Sequence, residues 1–171
     1  WGAVAELGRL ASPLGGRVML VTGRRAMKAS GITDRVVAVL REAGIVVTLF
    51  DEVEREPEVA TVDRGREVAR QWGAACVVGL GGGSAMDAAK VIAGLHGKEA
   101  STAEFHAGRV AVRPGLPMIA VATTSGTGSE VTVNGVISDR ARRVKVSIRG
   151  EGLMPWAAVV DPELTVPCPA A

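Results

Sequence analysis

The segment GLGGGS at residues 79–84 decides how the fold of this 171-residue chain is predicted. It follows the apolar run CVV at 76–78, typical of a buried strand, and precedes AMDAAK at 85–90, typical of a helix. Four glycines in five positions exceed what one tight turn requires. A glycine loop between a strand and a helix leaves main-chain amides open at the helix N-terminus, where phosphate groups bind. We therefore expect a ligand to approach the backbone here.

Short apolar runs alternate with amphipathic segments on both sides of this loop. The predicted strands are 17–22, 45–50, 75–80 and 117–122, and the predicted helices are 33–43, 59–72 and 84–95. Strands that are apolar throughout are covered on both faces, and the strand–helix alternation indicates a parallel sheet. Beyond residue 125, VTVNGVISD, VKVSI and AAVVD predict shorter β elements. The fold class is therefore α/β, a Rossmann-like, mostly parallel open sheet with flanking helices.

Composition excludes several partners. With no tyrosine, two phenylalanines, three tryptophans and a net charge of +2, the chain has no aromatic platform for bases, and we expect no nucleic-acid partner. Apolar runs are too short to predict a membrane segment. Cys76 lies in an apolar run and Cys168 among prolines, so we predict no disulfide and a reducing, cytoplasmic location.

The glycine loop matches neither of two common phosphate motifs. Lys90 comes too late for a P-loop, and the dinucleotide pattern GxGxxG fits Gly79 and Gly81 but places Ser84 at its third glycine. Ser84 can act as the helix N-cap or as a first-turn residue. Asp87 is either half of a surface pair with Lys90 or a residue that holds the loop or a sugar hydroxyl. The alternative for the whole motif is a tight turn that packs a helix onto the sheet.

A second loop of similar character is ATTSGTGSEVT at 122–132. It follows the fourth predicted strand, and the carboxyl ends of parallel strands meet at the same edge of a sheet, where ligands bind. Small hydroxyl side chains surround Gly126 and Gly128. A surface loop of this composition is common, but two such loops at one edge favour a binding site.

Three motifs in order carry a family resemblance. With GGGSAMDAAK at 81–90, TTSGTGSEVT at 123–132 and VVDPELT at 159–165, the chain resembles the iron-containing (group III) alcohol dehydrogenases over essentially its whole length. Glycerol dehydrogenase and dehydroquinate synthase share the architecture with weaker versions of the motifs. The resemblance implies a nicotinamide-dependent oxidoreductase that interconverts a small alcohol with an aldehyde or ketone.

The resemblance also implies roles for individual residues. The diphosphate of NAD or NADP would lie against the glycine loop, the threonines of the second loop would contact the cofactor, and a lysine would reach the ribose on the nicotinamide side. The cofactor-binding residues expected on this basis are Gly81, Gly82, Gly83, Ser84, Asp87, Thr123, Thr124, Thr127 and Lys145. The neighbouring Arg140, Arg142 and Arg143 are expected to form a solvated turn.

One departure from the family concerns cofactor choice. After the first strand the family often has VTD, whose carboxylate binds the adenosine ribose and repels a 2′-phosphate, whereas this chain reads VTGRR at 21–25. Gly23 removes the repulsion, and Arg24 and Arg25 can pair with a phosphate. We therefore predict that NADP(H) is accepted at least as well as NAD(H). The alternative is that both arginines point to water.

A second departure concerns the metal. The family's Fe²⁺, or Zn²⁺, is held by an aspartate and three histidines on an all-helical second domain, and neither His96 nor His106 lies in a matching motif. We predict both histidines to be surface residues, with no metal ligand and no catalytic residue in the chain. The expectation is that 1–171 is one nicotinamide-dinucleotide-binding domain of a longer two-domain enzyme and is inactive alone. The sequence does not decide whether the chain forms a homo-oligomer.

Two other classes of function remain as alternatives. One is a nucleotide-binding or assembly module without chemistry. The other is a phosphotransferase, since some kinases use a GGDG[TS] loop, although Gly83 stands where those loops carry an aspartate.

Overall fold

The computed structural model describes residues 1–168, and the last three residues of the predicted domain, 169–171, lie outside the described residues. The main sheet has five parallel strands, which are β1 (Arg17–Gly23), β2 (Val46–Val53), β3 (Cys76–Gly81), β4 (Met118–Ala122) and β7 (Ala157–Val160). Their order across the sheet is β2-β1-β3-β4-β7. The Rossmann-like parallel sheet predicted from the sequence is confirmed. The AAVV segment, predicted only as a short β element, is the edge strand of this sheet.

Helices cover both faces of the sheet. They are α1 (Leu7–Ala11), α2 (Ala26–Ala29), α3 (Ile32–Glu42), α4 (Val59–Trp72), α5 (Gly83–Gly94) and α6 (Thr102–His106), with short 3₁₀ turns between several elements. Every residue of β3 and β4 is buried, as expected of strands packed on two sides. One core cluster includes Phe50, Val62 and Ile92, and the other includes Leu7, Val36 and Leu40. The two clusters lie on opposite faces of the sheet.

A two-stranded antiparallel hairpin, β5 (Asn134–Asp139) and β6 (Val144–Arg149), lies outside the main sheet. It is held to the loop before α4 by the Ser138 amide, which donates to the Pro57 carbonyl at 2.8 Å, and by an ion pair between Arg140 and Glu58. The arginines at 140, 142 and 143 are exposed in its turn, as predicted. The hairpin packs against α5, so its position is coupled to that helix.

Helix α5 is enclosed on all sides. Residues 85–94 are buried without interruption, and three glycines of other segments approach its backbone closely. A Cβ atom on Gly135 would meet the Asp87 carbonyl oxygen at 2.9 Å, one on Gly115 would meet the Ala93 oxygen, and one on Gly94 of the helix would meet the Gly152 oxygen at 2.8 Å. The sheet, the hairpin and two loops thus surround one helix.

Asp161, in the third sequence motif, joins the two ends of the described chain. Its carboxylate accepts hydrogen bonds from the amides of Gly2 at 3.1 Å, Val4 at 3.0 Å and Glu163 at 3.1 Å. Burial opposes ionisation of this fully buried group, but the three amides outweigh it and hold the Asp161 pKa below its usual value. The motif therefore has a structural role.

The chain path creates a crevice. It runs from β1 outward to β2 and then returns to β3 on the other side of β1, so the direction of the strand order reverses between β1 and β3. Ligands of open α/β sheets bind outside the carboxyl ends of the strands at such a point. Among residues 1–168, no helix combines the length and the apolar character needed to cross a bilayer.

Candidate functional site

A wide cleft lies at this reversal point. Its volume is about 810 Å³, and it is lined by the loops that follow β1, β2, β3 and β4. It contains seven of the ten predicted cofactor-binding residues, which are Gly23, Gly81, Gly82, Gly83, Ser84, Thr124 and Thr127. The two sequence loops singled out above therefore form opposite walls of one site.

The glycine loop leaves bare amides at the N-terminus of α5. The Met86 amide donates to the Gly82 carbonyl at 3.1 Å and makes the first backbone hydrogen bond of this helix. The amides of Gly83, Ser84 and Ala85 have no backbone acceptor among the described residues. A helix N-terminus also carries a partial positive charge. Ser84 is a first-turn residue, since Gly82 is the N-cap, and its hydroxyl donates to the Arg55 carbonyl.

The walls lie close to this loop, so a side chain at position 82 or 83 would crowd them. A Cβ on Gly82 would lie 3.2 Å from Thr124 Oγ1, and a Cβ on Gly83 would lie 3.2 Å from Thr127 Cγ2. Gly81 has a φ of 143°, a conformation that other residues rarely adopt. The glycine loop therefore places no side chain between its backbone and the two threonines.

Thr124 carries one of six buried polar side-chain atoms that lack a hydrogen-bond partner among the described residues, and it lines the cleft. Its Oγ1 is buried, and no hydrogen-bond partner for it exists among residues 1–168. Buried hydroxyls are usually paired, so this atom is available to bind a ligand in the cleft. The carboxylate of Glu54, which also lines the cleft, is already occupied by the Glu58 amide at 2.8 Å and the Thr61 hydroxyl at 2.7 Å. The open amides and the Thr124 hydroxyl are donors that fit a diphosphate.

The carboxyl end of β1 forms the outer rim of the cleft. Arg24 and Arg25 are exposed there, and Arg24 Nε donates to the Glu52 carbonyl at 3.2 Å. Gly23 presents no side chain, and a Cβ at this position would find only an ordinary contact with the Val53 oxygen at 3.6 Å. A side chain could therefore be accommodated at position 23, and the glycine is not imposed by crowding.

A second, more polar cleft of about 570 Å³ continues from the first past Gly83 and Thr127. It is lined by Asp87 and by Lys145 of β6, whose Nζ lies 2.9 Å from Glu56 Oε1. The Lys145 ammonium, through both a hydrogen bond and its charge, lowers the pKa of the Glu56 carboxyl. Lys145 is thus brought to the predicted site from a distant part of the sequence.

Asp87 and Lys90 are not the surface pair that one interpretation predicted. Lys90 is 1% exposed and Asp87 9% exposed, and their charged atoms lie 3.1 Å apart. The Asp87 carboxylate accepts from the Ser129 hydroxyl and from the Val136 amide at 2.9 Å. Burial lowers the Lys90 pKa, and the Asp87 charge opposes that shift. The pair is buried because the hairpin covers this face of α5.

Two further placements differ from expectation. Thr123 does not line the main cleft; it is 2% exposed and borders a separate cavity of about 200 Å³, which it shares with Gly82 and Thr124. His106, predicted at the surface, is 5% exposed and its Nε2 lies 2.8 Å from the Ile137 carbonyl oxygen. The hairpin again provides the cover. His96 is half-buried, and burial, assisted by the charge of Arg66, lowers its pKa.

Sequence reasoning missed one wall of the cleft. Val53, Glu54 and Arg55 line it because β2 continues to Val53, three residues beyond the predicted end. The signal was available, since the carboxyl end of every parallel strand points to the same edge. Within residues 1–168, no group of three or more histidine, cysteine, aspartate or glutamate side chains is arranged to hold a metal ion, so an iron ion does not fit the described residues.

Comparison with known proteins gives one family. The family model described as iron-containing alcohol dehydrogenase matches residues 1–162. The NAD-dependent methanol dehydrogenase of Bacillus methanolicus is 34% identical over 169 residues, which are 99% of this chain and 44% of that protein. The NADPH-dependent butanol dehydrogenase of Clostridium saccharobutylicum is 36% identical over 167 residues, which are 96% of this chain and 43% of that protein.

A solved structure with the same fold supports this match. The sulfoacetaldehyde reductase of Bifidobacterium kashiwanohense, crystallised in complex with NAD⁺, superposes with a TM-score of 0.87 at 35% identity, covering 96% of this chain and 43% of that one. The chain therefore spans less than half the length of the relatives to which it is similar.

Proposed function

Because the chain belongs to the iron-containing alcohol dehydrogenase family, we propose that it binds a nicotinamide dinucleotide and serves hydride transfer between that cofactor and a small alcohol, aldehyde or ketone. One observation carries the proposal. Three unpaired amides at the N-terminus of α5 and the unpaired Thr124 hydroxyl face the same cleft at the reversal point of the sheet. Two relatives whose names specify NAD and NADPH are 34% and 36% identical to this chain over 169 and 167 residues.

The residues divide the work along the two connected clefts. The amides of Gly83 and Ser84 bind the diphosphate, and the Thr124 hydroxyl donates to it or to the adjoining ribose. Lys145 orients the ribose on the nicotinamide side from the second cleft. A bound nicotinamide supplies or accepts the hydride. The protein thereby fixes the cofactor's orientation and its exposed face.

We propose further that NADP(H) is accepted at least as well as NAD(H). A 2′-phosphate at the adenosine ribose would lie at the carboxyl end of β1, where position 23 has no carboxylate and Arg24 and Arg25 are exposed at the cleft. Arginine binds phosphate in two-point fashion. The carbonyl contact of Arg24 is a single surface bond and is readily exchanged for a phosphate.

The proposal does not place the metal site within this chain. The described residues do not provide a metal site, and the relatives are more than twice as long as this chain. We propose that the ligands of the metal and most of the substrate contacts come from outside residues 1–171, and that the chain alone binds cofactor without turnover.

Calorimetric titration of the chain with NADH, NADPH and ATP tests the function. We expect binding of at least one reduced dinucleotide and a shift of the unfolding temperature on its addition. Binding of ATP alone would instead favour the phosphotransferase alternative. Arg24→Ala should weaken NADPH and leave NADH unchanged, with Arg41→Ala, an exposed arginine of α3 that is not in the cleft lining, as the matched control. An unchanged NADPH affinity would refute the 2′-phosphate site.

A further inference from the structure

The largest fully buried side chain of the described residues is a lysine, and the function above does not use it. Lys90 lies on α5, two turns beyond the glycine loop, and its side chain is 0% exposed. Burying an ammonium is costly unless the charge is paired and every donor is bonded. Lysine at this position therefore has a specific set of partners.

Those partners all belong to one distant segment, apart from Asp87. The ammonium donates to the carbonyl of Ser129 at 2.9 Å, to the hydroxyl of Thr132 at 3.1 Å and to the carbonyl of Asn134. An ammonium has three donors, so these bonds exhaust it, and the contact with Asp87 neutralises the charge. Two of the three acceptors are main-chain atoms, which means that Lys90 fixes backbone position.

The fixed segment connects the two halves of the site. It begins directly after the threonine loop that faces Gly83, and it leads into β5, which pairs with β6 so that Ser138 lies opposite Lys145. Asp87 adds two bonds from the same helix to this segment, at Ser129 and Val136. The first turn of α5 and the strand that carries Lys145 are therefore joined through Lys90 and Asp87.

We propose that Lys90 is a positioning residue that sets the distance between the diphosphate cradle and Lys145, and thereby the binding of the nicotinamide half of the cofactor. The inference rests on the proposed function. The rim at residues 23–25, which faces the adenosine half, makes none of these bonds, so a ligand that lacks the nicotinamide riboside is insensitive to Lys90.

The test compares NADH with ADP, which shares the adenosine and the diphosphate but has no nicotinamide. Lys90→Met keeps the length of the side chain and removes its donors. Losing bonds of an ammonium to oxygen should weaken NADH binding by at least about tenfold, whereas ADP affinity stays within about threefold. Lys98→Met is the matched control, because Lys98 also donates to a carbonyl, that of Pro114 at 3.1 Å, but outside both clefts.

Hydrogen exchange gives a readout that does not depend on any ligand. Amides of β5 and β6 should exchange faster in Lys90→Met, while those of β1, β3 and β4 remain protected. If Lys90→Met does not fold, Thr132→Val, which removes one acceptor without changing shape, should weaken NADH by about threefold and leave ADP unchanged.

The outcomes are distinct. Equal losses for NADH and ADP, undiminished NADH affinity in a folded variant, or unchanged exchange in the hairpin would each overturn the positioning role. Failure of the unmodified chain to bind either ligand would refute the proposed function itself.

Discussion

Replacing Gly83 by alanine separates binding from folding. Gly83 is the first residue of α5, and its φ is not positive, so alanine meets no backbone strain there. The added methyl would lie 3.2 Å from Thr127 Cγ2 and 3.3 Å from its Cβ. Thr127 is exposed on a loop and can move by a few tenths of an ångström. Gly→Ala also lowers the conformational entropy of the unfolded chain, which stabilises the folded state by about 0.4–1 kcal/mol. The net change in unfolding free energy should therefore be under about 1 kcal/mol.

The cost for ligand binding should be larger. The same methyl would narrow the cleft between the glycine loop and Thr127, so we expect the diphosphate to lose its contact with at least one of the open amides. A hydrogen bond to a charged group contributes about 1.5–3 kcal/mol, which corresponds to an increase of about 10- to 150-fold in Kd. The loss of binding free energy should therefore exceed the change in unfolding free energy. A gain in helix propensity from alanine would stabilise the fold but would not restore the affinity.

Calorimetric titration with NADH and NADPH, paired with urea unfolding of the same samples, measures both quantities. Gly16→Ala is the matched control, because no atom lies within 4 Å of a Cβ at Gly16 and the position precedes β1 at the opposite edge of the sheet. If Gly83→Ala binds the dinucleotides as tightly as Gly16→Ala does, the cradle does not hold the diphosphate.

The remaining predictions use the same chain. Gly23→Asp should favour NADH over NADPH, because the new carboxylate repels a 2′-phosphate; a ratio of the two Kd values equal to that of the parent chain contradicts this. Burial raises the pKa of the Cys76 thiol to about 12, so a thiol reagent near neutral pH should label Cys168 in the native protein and both cysteines only after unfolding. Asp161→Asn should lower the unfolding free energy by about 1–3 kcal/mol at pH 7, since Asn has one acceptor oxygen for three amides. The folded-state pKa of Asp161 is depressed, so its carboxylate stabilises the fold above the usual aspartate pKa of about 3.9 and loses this effect as the pH falls. The difference in unfolding free energy between the parent chain and Asp161→Asn should therefore be smaller in acid than at pH 7, as urea titrations under the two conditions would show.

The central sheet could be predicted because its strands follow a simple rule. Segments such as Cys76–Gly81 are buried on both faces, so their residues are apolar without alternation, and the flanking glycines at 44 and 73 adopt positive φ after α3 and α4. Short elements gave no such signal. Helices α1, α2 and α6 have five residues or fewer, too few to show a period. The four residues of β7 were predicted as a β element, but so short a segment did not indicate that it joins the main sheet.

The candidate site was predictable where the backbone itself forms it. Gly81, Gly82 and Gly83 indicate an open main chain without reference to any other part of the fold. The burial of Lys90 and His106 depends instead on the hairpin that begins at residue 134, and no local pattern reveals which surface a later segment will cover. Both errors in assigning surface positions have this one cause.

The enclosure of α5 has a consequence for how such a site can change. A helix packed this closely against other segments cannot slide or tilt without collisions, so the open amides at its first turn are held in place. A dinucleotide bound as proposed would meet donors that need no rearrangement, and substitutions that change cofactor choice are expected at the exposed rim. The amides proposed to bind the diphosphate, which all dinucleotides share, thus belong to a fixed helix. The residues proposed to distinguish one dinucleotide from another lie at the rim, where substitutions cost little stability.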